Sequence, residues 1–331
     1  MVGTPIRGNG PTSNPIDSLL VDMTTKLGSI KVPAPVFTAS GCAASGKELD
    51  QFFDISAIGG MVTKSIMLQP RSGRATPRMA ETASGMLNGI GLQGPGIDEF
   101  IENDLAWLEN RKVRTVVSIA GSTVEEYGKL AKKIKNLSWI SAVEVNISCP
   151  NVESRGQVFA CDPVASAAAV LEVRRSVGIH TPVIAKLSPD VTDITVIAQA
   201  CVDAGADGVA MINTLLGMVI DTSQMRPVLS GGTGGLSGPA IKPVAVRAIW
   251  QVHQALPNLP ILGMGGIRSG KDALEFILAG ASAVSIGTMI FNDPSAPWRI
   301  QKELRDELGK LGFAKLTDAI GYAHTIFEGS K

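Results

Sequence analysis

The sequence predicts an α/β protein folded as a (β/α)8 barrel with an inserted segment over the barrel mouth, and three observations carry that prediction. Short runs rich in Val and Ile recur along the chain, segments of helical period separate them, and small-residue loops follow the last of them. A chain of 331 residues lies within the range that such barrels reach as one unit, so the expected domain is 1–331 with residues 1–18 as a loose leader.

The strands are expected at Pro35–Ala39, Ala57–Thr63, Thr115–Ile119, Ala142–Ile147, Val183–Leu187, Gly208–Ile212, Ile261–Met264 and Ala283–Ile286. Between them, helix starts are marked by Ser122 three residues before Glu125 and by Asp162 before Pro163. Val124, Tyr127, Leu130 and Ile134 recur at helical spacing as a core-facing stripe. The phrases Ala204-Gly205-Ala206-Asp207-Gly208 and Ala279-Gly280-Ala281-Ser282-Ala283 place Gly where a left-handed turn returns the chain to a strand. The segment from Lys64 to Arg111 is too long for one connection, so a loop, hairpin or helix is expected to cover the mouth there.

Composition narrows the function classes. Thirty basic and thirty acidic residues cancel, with no block of like charge to hold a polyanion, so no nucleic-acid partner is expected. Cys42, Cys149, Cys161 and Cys201 show no CxxC spacing, which points to reduced thiols in the cytoplasm. The N-terminus has Pro, Gly and Ser where a signal peptide needs an apolar run, and no stretch approaches ~18 uninterrupted apolar residues, so no membrane association is expected.

Several motifs fail on inspection. Gly89, Gly91 and Gly94 make a lone GxGxxG with Pro95 behind it and no clear strand in front. Gly265 to Lys271 imitates a P-loop, but Asp272 stands where a magnesium-binding hydroxyl belongs. His180, His253 and His324 lack metal or triad context, and no metal site is expected.

The chemistry concentrates at the strand C-termini. Loops after the seventh and eighth strands begin Gly265-Gly266 and Gly287-Thr288, positions where barrels commonly bind phosphate through backbone N–H groups. A third glycine-rich loop, Ser230 to Gly238, follows the sixth strand and precedes a helix opened by Pro239. A phosphate-bearing ligand accounts for all three better than tight turns do. The fourth strand ends in Asn146-Ile147-Ser148-Cys149-Pro150-Asn151, and a long irregular connection follows before Asp162. Amides around a cysteine suit a planar polar ligand, and the thiol is either a packing residue or a group placed for chemistry. Lys64 and Lys186 place cations at the same mouth, where a ligand-pairing role fits better than an unpaired interior charge; Asn88, Asn213 and Thr214 add polar groups.

These pieces resemble the dihydroorotate dehydrogenases, and within them class 1B. NISCPN (146–151), INT (212–214), GGLSGPAIKP (234–243), GMGGI (263–267) and IGT (286–288) carry the resemblance, which runs from about Leu27 to Pro294. It implies a TIM barrel holding FMN against Ala39, Ser40, Gly41, Lys64, Ser65, Asn146, Lys186, Ile212, Gly234, Gly235, Gly238, Gly265, Gly266, Gly287 and Thr288. It implies orotate contacts from Lys64, Asn88, Asn146, Asn151, Asn213 and Thr214, with Cys149 as the base that removes the C5 proton of dihydroorotate while FMN accepts the C6 hydride. Class 2 relatives have serine at the base position, so Cys149 points to class 1, and VESRGQVFACDP looks like class 1B.

The resemblance further implies a homodimer core within a heterotetramer, and an electron-transfer subunit with FAD and a [2Fe-2S] cluster that passes electrons to NAD. This chain lacks the cysteine set for such a cluster. Ser118 departs from the family pattern, which often has Asn there. Three other readings stay open: a class 1A-like enzyme using fumarate, a dihydropyrimidine dehydrogenase-type barrel, and a non-catalytic barrel that binds a phosphate-bearing ligand. Copurification with an iron–sulfur subunit disfavours the first, Asn151 leans against the second, and a colourless purified protein would favour the third.

Overall fold

Eight short parallel strands close into a barrel in the computed structural model, which describes residues 10–137, 139–148 and 161–329. They are β1 (Val36–Thr38), β2 (Gly60–Val62), β3 (Thr115–Ile119), β4 (Ile140–Asn146), β5 (Val183–Lys186), β6 (Gly208–Met211), β7 (Ile261–Met264) and β8 (Ala283–Ile286). Each pairs with the next, and β8 pairs with β1. All of the expected strands are therefore the barrel strands. The second starts later than expected because Asp54 caps a 3-10 turn over Ile55–Ala57 by accepting from Ser56 N.

Outside the barrel lie α1 (Val124–Ile134), α2 (Pro163–Val177), α3 (Ile194–Asp203), α4 (Lys242–Ala255), α5 (Gly270–Ala279) and α6 (Ala296–Lys310), one after each strand from β3 to β8. Tyr127, Leu130 and Ile134 of α1 are buried as their spacing predicts. Its cap is Thr123, not Ser122: Thr123 Oγ1 accepts from Glu126 N, and the Glu126 carboxylate accepts from Ser122 N. The box thus forms one residue later than expected. Asp162 caps α2 with Pro163 in the first turn, as expected. Gly205 (φ +98) and Gly280 (φ +123) make the left-handed turns that lead into β6 and β8.

Alternate residues of a strand face the same way, so one set points into the barrel. Phe37, Val62, Val116, Ala142, Ile184 and Leu262 form an apolar floor there, joined by Leu27 and Val32 from an antiparallel hairpin, Thr25–Leu27 with Ile30–Val32. Burial of each large side chain is worth about 1.5–3 kcal/mol. The leader is tied down from Thr12, whose N–H donates to Gly312 O, and again at Ile16, which donates to Gly309 O.

A separate four-stranded antiparallel sheet is built from the insertions after β2 and β6. The insertion after β2 gives the hairpin Met79–Thr82 and Gly85–Asn88; the insertion after β6 gives Leu215–Met218 and Thr233–Ser237. Thr233–Ser237 sits between Leu215–Met218 and Gly85–Asn88. The expected glycine-rich loop from Ser230 to Gly238 is thus largely a strand, a correction with a steric reason. A Cβ on Gly235 would lie 2.0 Å from Thr214 Oγ1, and one on Gly234 would lie 2.8 Å from Asn88 O. The GxGxxG at Gly89 to Gly94 also follows a strand, Gly85–Asn88, but an antiparallel one outside any βαβ unit.

Candidate active site

Two residues beyond the floor, the inward positions change from apolar to polar: Ser118 on β3, Glu144 on β4, Lys186 on β5 and Ser285 on β8 are all buried. Glu144 is 0% and Lys186 3% exposed. Lys186 Nζ donates to Ser40 Oγ at 2.6 Å and lies 4.0 Å from Glu144 Oε1. Lys64 follows β2, and its charge reaches Cys42 together with that of Lys186. Burial pushes the Cys42 thiol up against the pull of both lysines, so this cysteine stays protonated near neutral pH.

Asn146 ends β4 in a fixed orientation. Its Nδ2 donates to Ser65 Oγ at 2.8 Å, its Oδ1 accepts from Ser148 N at 3.2 Å, and its carbonyl accepts from Tyr127 O–H at 2.7 Å. Ser148 O–H in turn donates to Lys186 O at 2.7 Å, stapling the ends of β4 and β5. Cys149 and Asn151, the expected base and one expected substrate ligand, lie outside the described residues. Ser148, directly before Cys149, is 6% exposed.

The remaining expected residues fall into two neighbouring groups. In the mouth sheet, Asn88 Nδ2 donates to Gly235 O at 3.3 Å, and Thr214 packs on Gly235. Asn213 directly precedes Thr214, its N–H held by Leu187 O and its side chain accepting from Thr214 N. At the loops after β7 and β8, Thr288 O–H donates to Ser237 Oγ at 2.8 Å. A Cβ on Gly266 would lie 2.7 Å from Gly238 O, so Gly238, Gly266 and Thr288 form one junction. Gly265 packs on Ile212, and Gly287 on Ala39 and Cys42. Gly41, at φ +90, has nothing within 4 Å of a built Cβ.

Sequence reasoning passed over Glu144, although a carboxylate between Val143 and Val145 in a barrel strand was a visible signal. It also left Ser118 without a contact. Ser118 O–H donates to Glu144 Oε1 at 2.8 Å, its Oγ lies 2.8 Å from Ser65 Oγ, and its N–H donates to Thr63 Oγ1. Serine therefore has a full set of partners inside the barrel, between strands. His253 and His324 meet instead in the outer layer, where His324 stacks on Trp250 with ring centroids 3.5 Å apart.

The donor set fits a bound flavin. Glu144 Oε2 and Ser285 Oγ are buried without a hydrogen-bond partner among the described residues, a cost of about 1–3 kcal/mol each that a polar ring system above the floor would offset. Lys186 supplies a buried cation, and the Gly238, Gly266 and Thr288 junction lies at the loops where barrels hold phosphate. Among the described residues no group of acidic, His or Cys side chains could hold a metal ion, and no helix is long and apolar enough to cross a membrane.

A closed parallel barrel whose polar layer gathers at the strand C-termini defines the class as a barrel enzyme with its site at the mouth. The family model described as dihydroorotate dehydrogenase matches residues 22–308. The dihydroorotate dehydrogenase B (NAD(+)), catalytic subunit, of Geotalea daltonii is 50% identical over 300 residues, covering 91% of this chain and 97% of that protein. The protein of the same name from Geobacter sp. (strain M21) is 49% identical over the same shares. The chain belongs to the dihydroorotate dehydrogenase family.

Proposed function

We propose that this chain oxidises (S)-dihydroorotate to orotate in pyrimidine biosynthesis, as the catalytic subunit of a class 1B enzyme that works as one (β/α)8 domain in the cytoplasm. The observation that carries the reading is the mouth layer itself: Lys186 buried beside Ser40, with Asn146 locked in one amide orientation three strands from the first of the two loops, after β7 and β8, expected to hold phosphate. Lys64, Asn88, Asn146, Asn151, Asn213 and Thr214 bind the substrate's carboxylate and ring amides. Ala39, Ser40, Gly41, Lys64, Ser65, Asn146, Lys186 and Ile212 flank FMN, and Gly234, Gly235, Gly265, Gly266, Gly287 and Thr288 surround its phosphate beside Gly238.

FMN, when bound, supplies the acceptor for the hydride that leaves C6. Cys149 takes the C5 proton, and the amides around it fix the substrate so that the two departing hydrogens face their acceptors. An ordinary thiol titrates near ~8.5, so kcat should rise with pH until Cys149 is ionised. Lys186 places positive charge where electron density collects. Electrons then pass to a partner subunit with FAD and a [2Fe-2S] cluster and on to NAD, with this chain as the homodimeric core of a heterotetramer.

The test is anaerobic addition of dihydroorotate to the purified yellow protein. Bleaching of the flavin band supports the reading, and a yellow protein that dihydroorotate leaves oxidised overturns it. Cys149→Ala should abolish most turnover, and Cys149→Ser should be slower at neutral pH because serine needs a further proton acceptor. Turnover of Cys149→Ala equal to wild type would sink the base assignment.

A further inference from the structure

Of the residues in the eight barrel strands, Glu144 is the sole acid and Lys186 the sole base. Glu144 is fully buried within the polar layer, above the apolar floor where Ala142 and Val116 lie. A buried carboxylate with no function is costly, because desolvation is offset only where cations and hydrogen bonds replace water. Glu144 has two such contacts: Lys186 Nζ at 4.0 Å and the Ser118 hydroxyl at 2.8 Å.

The second contact imposes a direction. The single hydroxyl proton of Ser118 goes to Glu144, so at the 2.8 Å contact between Ser118 and Ser65 the donor must be Ser65. Ser65 then receives the Asn146 amide N–H. The chain therefore runs one way, Asn146 to Ser65 to Ser118 to Glu144, and it ends on a group that can only accept while ionised. Its far end is the amide whose orientation the proposed substrate site uses.

We propose that Glu144 is a positioning residue with two effects: it is the counter-ion that sets the net charge Lys186 presents to the bound flavin, and it is the terminal acceptor that orients Asn146 toward substrate. The proposal rests on the flavin-dependent reading of the site. Neutralising Glu144 leaves Lys186 with an uncompensated charge, which favours the electron-richer form of a redox group beside it. It also removes the directionality of the chain, since a glutamine amide can turn either its oxygen or its nitrogen to Ser118.

The experiment uses the flavin-loaded protein and two variants. In Glu144→Gln, the midpoint potential, read by titration with a chemical reductant, should move positive by about 30 mV or more, the equivalent of a tenfold shift in a two-electron equilibrium. Ser118→Ala breaks the chain while leaving both charged side chains in place: orotate binding, read from the flavin spectrum, should weaken by about tenfold with a smaller shift in potential than Glu144→Gln gives, and Ser118→Thr should restore it. An unchanged potential in fully loaded Glu144→Gln, or unaltered orotate binding in Ser118→Ala, overturns the corresponding role.

If Glu144→Gln loads no flavin, the thermal midpoints of Glu144→Gln and of Glu144→Gln/Lys186→Met decide. Removing both charges should recover stability lost when one is removed, because a lone buried charge is worse than none. A double variant no more stable than the single one overturns the counter-ion role. Reductive titration needs no substrate, so a wild-type protein that dihydroorotate fails to bleach would refute the function while leaving the Glu144 test readable.

Discussion

Gly266→Ala tests whether the phosphate-side junction is as tight as its geometry says. Gly266 has φ +81, and a methyl group there would lie 2.7 Å from the Gly238 carbonyl oxygen and 3.0 Å from Lys242 Cβ. The left-handed backbone costs an L-residue about 1–2 kcal/mol, and displacing a backbone oxygen from inside contact distance adds about 1 kcal/mol or more. The sum is about 2–3 kcal/mol, which in a chain of this size lowers the thermal midpoint by about 3–4 °C. Because Gly238 and Lys242 begin the segment entering α4, the displacement opens the loops expected to hold phosphate, so the ratio of flavin to protein should fall as well. Gly94→Ala is the control: nothing lies within 4 Å of a Cβ there and the backbone is not left-handed, so stability should stay within about 0.5 kcal/mol of wild type. Equal midpoints and equal flavin content for the two variants would refute the reasoning.

Arg174→Met should lower stability by about 3 kcal/mol, read as a fall in denaturant midpoint, because Arg174 donates to the carbonyls of Gly205, Gly178 and Thr181 and pairs with Asp207, which itself accepts from Val183 N at the start of β5; a loss below about 1 kcal/mol would show that other contacts hold these strand starts. Burial first, then the charge of His324, depresses His253 from 6.5 to about 4. The unfolded chain therefore binds a proton that the folded one refuses, and stability should fall as pH drops from 6.5 toward 4, by up to about 1.4 kcal/mol per unit. If His253→Gln shows the same slope over that window, His253 is not its source. Thiol alkylation at neutral pH should label exposed Cys161 before Cys42 and leave Cys201 last, since burial pushes the Cys201 thiol up to about 12. Labelling of Cys42 as fast as Cys161 would mean that Lys64 and Lys186 outweigh its burial.

The barrel was legible because each strand is a local signal. Val183–Lys186 or Ala283–Ile286 reads as an apolar run between turn residues whatever its neighbours are, and the glycines at 205 and 280 mark the helix ends. The mouth sheet was not legible, because its pairing joins Gly235 to Asn88 across most of the barrel and its central strand, Thr233–Ser237, is glycine-rich where β-formers are expected. Only the steric contacts with Thr214 and Asn88 explain why those glycines belong in a strand. The polar layer was half legible: Lys186 and Asn146 stand at strand ends and were named, whereas Ser118 and Glu144 stand inside strands, where one sequence shows an interruption but not the partner that accounts for it.

That difference follows from how a barrel divides its interior. With a two-residue period, one strand supplies a floor residue and a site residue two positions apart: Val116 and Ser118, Ala142 and Glu144, Ile184 and Lys186. The floor residue contributes through buried area and tolerates a change of similar volume. The site residue contributes through a partner on the adjacent strand, so its chemistry depends on register: Ser118 pairs directly with Glu144, and Asn146 with Lys186. A shift of β4 by one residue against either neighbour would turn Glu144 and Asn146 to the outer face and Val143 and Val145 to the lumen. The apolar floor and the charged layer therefore specify the same register independently, and the polar residues of the site help to define the fold that positions them.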